Sequence, residues 1–221
     1  MYVESNIMAS QQHGFDIEDD IKQKVFKLDK KYPYTAIHDI RAEDNPFDSN
    51  ENISIKTTTT STVYFGSPLR IFNYSKEEKH TAIVVILKQV ENVKHIKRIV
   101  EIGLDDRDVL FGEVTEGEIR ELENLIKHVP KNEKPKETMK QIDNLKKELN
   151  KKSGLLKFNP KIDSTTQRRL QCSIPKFEEK LNSTLIKRDS PTSVRGVDIT
   201  AEIKSSKRVR NTRKNQTSLA L

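Results

Sequence analysis

An uninterrupted apolar run from Ala82 to Leu87 limits the possible folds of this chain more than any other feature. Its Ile-Val-Val-Ile-Leu content favours β structure, and the stretch 82–90 is typical of a buried strand. The run is far too short to cross a bilayer, which needs about 20 apolar residues. We therefore expect a folded, water-soluble domain to form around this segment.

Further β signals surround this run. Thr62–Phe65 and Leu69–Tyr74 flank Gly66-Ser67-Pro68, which predicts a hairpin turn. Residues 53–60 are β-favouring and partly alternate, so they predict another strand. The segment 96–104 is ambiguous between strand and helix, and a strand is favoured for its second half. A further strand is predicted at 109–114, after the polar turn of residues 105–108.

The clearest local signature is the T-x-x-E capping box formed by Thr115 and Glu118. The helix that it begins has one apolar face and ends at Pro130. Several antiparallel strands followed by one amphipathic helix predict a small α+β domain over residues 52–130. This element order resembles a PH-like barrel closed by its C-terminal helix, in architecture only.

Two further helices are predicted at 17–30 and 137–151. Helix 17–30 lies in an otherwise acidic, disordered segment, 1–51, and helix 137–151 follows a charged linker within 131–162. Helix 137–151 is too short for a stable coiled coil by itself, so it either pairs with a partner helix or docks on its own sheet. Its apolar side is formed by Met139, Ile142, Leu145 and Leu149.

Charge is divided unevenly along the chain. Residues 1–130 hold 17 Lys and Arg against 23 Asp and Glu, a net of −6, and the remaining residues hold 23 against 10, a net of +13. Only 33% of all residues are hydrophobic. Because so polar a segment buries too little surface to offset its conformational entropy, we expect residues 163–221 to form a disordered basic tail.

One amphipathic motif interrupts this tail at residues 176–188. Phe177, Leu181 and Leu185 recur at helical spacing, and Ser190-Pro191 follows. The motif predicts a helix that enters a groove of a partner protein. The alternative is that it folds back onto the protein's own domain, and the pattern does not separate the two.

A basic cluster lies at residues 204–214. It indicates a nuclear import signal, and it also suits phosphate contacts that carry no sequence specificity. The tail lacks the aromatic residues that base stacking would need. The cations of this cluster are Lys204, Lys207, Arg208, Arg210, Arg213 and Lys214.

Two serines precede proline and match kinase patterns, Ser190 and Ser67. Phosphate on Ser190 would change the charge of a flexible basic segment. Ser67 is better explained as a residue of the expected hairpin turn.

Catalytic, metal and cofactor signatures are lacking in the sequence. The five histidines are scattered, Cys172 is the only cysteine, and no glycine-rich phosphate loop occurs. We therefore expect no enzyme and no cofactor. The sequence favours a non-enzymatic nuclear adaptor or scaffold subunit of a chromosome- or nucleic-acid-associated complex, with protein partners. The alternative is a peripheral membrane adaptor whose PH-like domain and basic residues bind anionic lipid.

Overall fold

The protein is mixed α+β. The computed structural model describes residues 9–30, 32–33, 36–91, 93–131, 133–163, 167–180, 185–199 and 203–204. For residues 9–15, 203 and 204 it describes the backbone alone.

The helices of the described residues are α1 (Ala9–Lys24), α2 (Pro68–Phe72), α3 (Arg107–Phe111), α4 (Glu116–Lys127), α5 (Lys136–Lys152) and α6 (Phe177–Lys180). The strands are β1 (Glu51–Thr58), β2 (Thr62–Phe65), β3 (Lys79–Val90), β4 (Val93–Gly103), β5 (Lys157–Ile162), β6 (Arg168–Pro175), β7 (Ile186–Ser190), β8 (Ser193–Val194), β9 (Val197–Asp198) and β10 (Ile203–Lys204).

The central sheet has the strand order β1-β3-β4-β10, and β7 also pairs with β4. Strands β1 and β3 run parallel, with Glu51 opposite Lys79 and Thr58 opposite Ile86. Strands β3 and β4 form an antiparallel hairpin. The second sheet has three strands in the order β2-β6-β5, and all its pairings are antiparallel. A two-stranded ribbon joins β8 to β9.

The prediction of a buried strand at 82–90 is confirmed for residues 82–87. Side chains alternate between the two faces of a strand. In β3, Ala82, Val84 and Ile86 lie in one apolar core, and the intervening residues lie in another on the opposite face. Burial on both faces explains why the run is continuous rather than alternating.

The larger core lies between the central sheet and the three-stranded sheet, with α4 and α5 packed against it. The capping box of α4 is present as predicted, because Thr115 and Glu118 bond reciprocally. Helix α5 matches the prediction for 137–151 closely. The three-stranded sheet contributes alternate residues of its strands to this core: Val63, Phe65, Phe158, Leu170, Cys172 and Ile174.

The smaller core covers the opposite face of the central sheet. Ile17, Ile21 and Val25 of the N-terminal segment pack there against the odd-numbered residues of β3. The buried stripe is as predicted, although the helix itself is Ala9–Lys24 rather than 17–30. Val194 of β8 and Ile199, which directly follows β9, complete this core. The two cores draw on residues 17 to 199, so the segment 52–130 contains neither core by itself.

Two segments that the sequence predicts as strands form short helices. Leu69–Tyr74 overlaps α2, which begins at Pro68, so residues 66–68 connect a strand to a helix and form no hairpin turn. Val109–Val114 overlaps α3, where the Asp106 carboxylate accepts a hydrogen bond from the Val109 amide at 3.0 Å. Proline and aspartate both favour a helix start, and this local preference outweighs the β propensity of the apolar residues that follow.

The expectation that residues 163–221 are disordered is wrong for 168–180 and 185–199. Strand β6 is the middle strand of the three-stranded sheet, and β7 pairs with β4. Of the helix expected over 176–188, the structure describes α6 as helical and Ile186–Ser190 as a strand, and residues 181–184 lie outside the described residues. Polar residues alternate with apolar ones in β6, so a segment with few apolar residues can still bury one face of a strand.

A PH-like barrel is not confirmed. Its strands would be antiparallel and closed by one helix, whereas β1 and β3 are parallel. Strands beyond residue 130 also complete both larger sheets.

A buried charge cluster ties the sheet to the segments that cover it. Arg195 lies between β8 and β9 with φ at 51°, and its side chain is only 3% exposed. The guanidinium lies 2.7 Å from a Glu51 oxygen and 3.2 Å from a Glu101 oxygen. The rings of Phe26 and Phe47 flank it at 5.3 and 5.2 Å. Both buried carboxylates therefore share one buried cation, and Glu101 also pairs with the exposed Arg188.

We predict that Arg195→Met lowers the free energy of unfolding by about 3–5 kcal/mol, because it leaves the buried Glu51 without its cation and the buried Glu101 with only the exposed Arg188. Urea denaturation measures the effect. Arg188→Met is the matched control, since Arg188 pairs with the same Glu101 at 2.9 Å but is 54% exposed. That change should cost no more than about 1 kcal/mol. Equal losses in the two variants would contradict a structural role for the Arg195 cluster.

Candidate nucleic-acid interface

The cations of the predicted import signal are mostly beyond what the structure describes. Lys207, Arg208, Arg210, Arg213 and Lys214 lie outside the described residues. Lys204 lies in β10, where only its backbone is described. Their role in import or in phosphate contacts therefore stays a prediction.

The residues predicted to dock a partner lie mainly in the protein's own core. Phe177 is 0% exposed and belongs to the larger core. In α5, Ile142 and Leu149 are buried there, and Met139 and Leu145 pack against it. Leu185 is also buried, and Leu181 lies outside the described residues. Own-domain packing therefore accounts for the buried residues among those described, whereas Met139 and Leu145 stay partly exposed, and docking of a partner stays a prediction.

The two predicted phosphorylation sites occupy different settings. Ser67 precedes α2 as its N-cap, although its side chain makes no capping hydrogen bond, and it is half-buried. Ser190 ends β7, opposite Ile99. Its hydroxyl lies 2.6 Å from that of Ser193 and accepts the Ser193 amide at 3.0 Å. Ser190 is thus part of an ordered strand rather than a flexible tail, and a kinase would have to release it first.

The outer face of the three-stranded sheet brings cations and an aromatic ring together. Residues of β2, β5 and β6 that alternate with the core positions point away from the core. Tyr64 on this face is 51% exposed. Arg169 and Lys161 are exposed, and they lie directly opposite each other on neighbouring strands. We refer to these outward positions as the basic sheet face: Thr62, Tyr64, Lys157, Asn159, Lys161, Arg169, Gln171, Ser173 and Pro175.

Side chains of this face are in contact across the strands. The Lys161 ammonium lies 5.6 Å from the centre of the Tyr64 ring, a cation–π distance. Asn159 donates a hydrogen bond to the Ser173 hydroxyl at 2.8 Å. The face therefore presents the partly exposed Tyr64 ring beside the Lys161 ammonium, and the Asn159 amide lies between the strands.

Lys157 has a structural role at the edge of this face. Its ammonium donates to the Asn150 and Ser153 carbonyl oxygens, at 2.9 and 3.0 Å, near the end of α5. Burial lowers the pKa of Lys157, and the nearby Lys180 charge lowers it further. The two cations that remain available to a ligand are Lys161 and Arg169.

The electrostatics of the basic sheet face are unfavourable in the absence of a partner. No Asp or Glu occupies any of its nine positions, all of which the structure describes. Like charges directly opposite in an antiparallel pair are destabilising. Lys161 and Arg169 form such a pair, and a polyanion would relieve their repulsion.

Sequence reasoning missed this face because it treated residues 163–221 as a tail. The signal was present in the alternation of residues 169–174, where Leu170, Cys172 and Ile174 are buried. No local pattern could have placed Tyr64 there, since it comes from a strand far earlier in the chain.

No protein-family model, curated protein or solved structure matches this chain. Among the described residues, no helix has the length and apolar character needed to cross a membrane. The same residues contain no group of three or more His, Cys, Asp or Glu side chains that could hold a metal ion.

We predict that Arg169→Glu stabilises the free protein, because it replaces a like-charge pair with an opposite-charge pair opposite Lys161. The expected gain is about 0.2–1 kcal/mol in the free energy of unfolding. Arg169→Gln removes only the repulsion and should give a smaller gain. Both gains should shrink at high salt, where surface charges are screened. A lower melting temperature for Arg169→Glu at low salt would show that the repulsion is not significant.

Proposed function

We propose that this protein is a non-enzymatic nuclear adaptor or scaffold subunit of a chromosome- or nucleic-acid-associated complex, and that it binds single-stranded nucleic acid through the basic sheet face. The observation that supports this proposal is the combination of an exposed Tyr64 with Lys161 and Arg169 on a face without carboxylates.

Each side chain has a distinct part in this binding. Arg169 suits a bidentate contact with a phosphate, and Lys161 supplies a second, more adaptable charge. The Tyr64 ring offers a surface for stacking one base, which requires an unpaired strand. Gln171 and Asn159 add hydrogen-bonding groups between these contacts. Because most of this affinity comes from phosphates and stacking, sequence preference should be weak.

The basic C-terminal residues would strengthen the binding of nucleic acid. A net positive charge of 13 beyond residue 130 raises the attraction of a polyanion, and this attraction weakens with salt. The cluster at 204–214 would also direct the protein to the nucleus. The sequence left lipid binding by a PH-like domain as the alternative function. No feature of the described residues favours it, and the experiment below tests it with lipid vesicles.

We predict that the full chain binds a fluorescent single-stranded oligonucleotide, and that Lys161→Gln/Arg169→Gln weakens the binding and its salt dependence. The slope of log K against log salt should fall by about 0.7 for each cation that no longer contacts a phosphate. Tyr64→Ala should lower affinity by roughly 1–3 kcal/mol and leave the slope unchanged. Fluorescence anisotropy over a salt series measures both quantities.

The matched control is Arg120→Gln/Lys127→Gln, which removes two exposed cations from α4. It makes the same change in net charge away from the sheet face and should leave affinity nearly unchanged. Equal losses of affinity in the two double variants would mean that the effect comes from the net charge of the protein and not from the basic sheet face. Binding to phosphatidylserine vesicles without binding to oligonucleotide would favour the membrane alternative instead.

We also predict nuclear enrichment that depends on the C-terminal cluster. Replacing Lys207, Arg208 and Arg210 with Ala in a fluorescent fusion should redistribute the signal to the cytoplasm, because import receptors read such cations through acidic pockets. Microscopy of living cells measures the nuclear-to-cytoplasmic ratio. An unchanged ratio would mean that the protein enters by another route.

A further inference from the structure

Helix α5 borders the basic sheet face along the edge strand β5, and the two elements are in contact. The Asn150 amide of α5 donates to the Phe158 carbonyl oxygen at 3.2 Å and accepts the Phe158 amide at 2.7 Å. Lys134, just before the helix, donates to the Ile162 carbonyl oxygen at 3.0 Å. These bonds join the helix to both ends of β5, so the surface of α5 adjoins the basic sheet face.

Contacts on three sides fix the rotation of α5 about its axis. Ile142 and Leu149 are buried in the larger core. On one flank Lys152 pairs with Glu118 of α4. On the other flank Asn150 faces β5. Since an α-helix has 3.6 residues per turn, these contacts also determine which of its remaining residues lie on the side of the sheet face.

Four lysines of α5 lie within about 60° of one another around the helix axis, on the solvent side next to the Asn150 flank. All four are exposed, and within the described part of the chain none of them forms an ion pair. Glu137 and Glu148 lie on the flank towards α4, so Asp143 is the one carboxylate of α5 on the lysine side. We refer to these four residues as the lysine ridge: Lys136, Lys140, Lys147 and Lys151.

The lysine ridge is suited to phosphate groups and not to bases. Its ends are 15 residues apart in the helix, a distance of about 22 Å. Like charges four residues apart destabilise a helix, and the ridge contains two such pairs, so a bound polyanion would relieve repulsion here as well. Helix α5 contains no aromatic residue on which a base could stack. The ridge therefore offers positive charge alone, beside a sheet face that offers charge and a ring.

We propose that the lysine ridge is a second phosphate-binding surface, and that the ligand of this protein is a single strand long enough to cover both the ridge and the basic sheet face. This inference rests on the proposed function. Tyr64 stacks on one base, Lys161 and Arg169 bind the phosphates nearest to that base, and the ridge binds phosphates farther along the strand. Lys134 lies at the boundary between the two surfaces. A short strand covers the sheet face alone, so affinity should rise with strand length.

The test compares two oligothymidylates, of about 4 and about 16 nucleotides, which bracket the usual site sizes of single-strand-binding folds. Fluorescence anisotropy on the full chain over a salt series measures the slope of log K against log salt. Lys140→Gln/Lys147→Gln should lower this slope by about 0.7 for each lysine with the long oligomer and leave the short oligomer unaffected. Glutamine retains the tendency to form a helix and both lysines are exposed, so the variant should keep the fold.

The matched control is Lys24→Gln/Lys30→Gln, which makes the same change in net charge. Both lysines are partly exposed, and they belong to the N-terminal segment that covers the opposite face of the central sheet. This variant should leave the slope unchanged for both oligomers. An equal fall in the two double variants would assign the effect to net charge and overturn the lysine ridge.

A gain of affinity provides a second test that a damaged fold cannot imitate. Asp143→Asn removes the carboxylate on the ridge side of α5 and should raise the affinity for the long oligomer about two- to fivefold. The affinity for the short oligomer should stay the same. Glu43→Gln is the control, since Glu43 is 66% exposed and lies on the N-terminal segment.

The two oligomers separate this inference from the proposed function. A lower slope confined to the long oligomer, together with the gain in Asp143→Asn, supports the lysine ridge. An unchanged slope for the long oligomer overturns the ridge, and short-oligomer binding that depends on Tyr64 then leaves the proposed function intact. If neither oligomer binds, the proposed function fails and the ridge fails with it.

Discussion

Strand β3 carries apolar side chains on both faces, so both faces of the central sheet must be covered. Burying one Val, Ile or Leu side chain contributes roughly 1.5–3 kcal/mol, and the six consecutive apolar residues of β3 are all buried. The three-stranded sheet with α4 and α5 covers one face. The N-terminal helix and the residues around the β8–β9 ribbon cover the other. Segments from both ends of the chain are therefore needed for a complete core.

The Arg195 cluster adds specificity to this layered arrangement. Removing an arginine and two glutamates from water is expensive, and their mutual attraction compensates only when the geometry is complete. Glu51 also accepts a hydrogen bond from the Thr81 hydroxyl at 2.5 Å, and Arg195, between β8 and β9, bonds a Glu51 that lies 144 residues away. Such a cluster forms only in the correct register of β1, β3 and β4. It thus links the position of the β8–β9 ribbon to the pairing of the sheet.

Covering a sheet with a second sheet leaves an outward face whose residues are free of packing demands. In this protein that face holds Tyr64, Lys161 and Arg169, and a like-charge pair is retained at some cost to stability.

Features that short windows encode could be predicted from the amino-acid sequence, whereas strand pairing could not. The apolar run of β3, the capping box of α4 and the stripe of α5 were each predicted correctly, because hydrophobic period and capping residues act within a few positions. The mixed α+β class follows from these elements. The parallel pairing of β1 with β3, the place of β6 inside a sheet and the contact of Lys161 with Tyr64 all join distant segments. Local propensity cannot specify them, because the same apolar and polar residues fit several registers. Burial selects one register by giving the apolar faces and the Arg195 carboxylates their partners together, and the basic sheet face is a consequence of that selection.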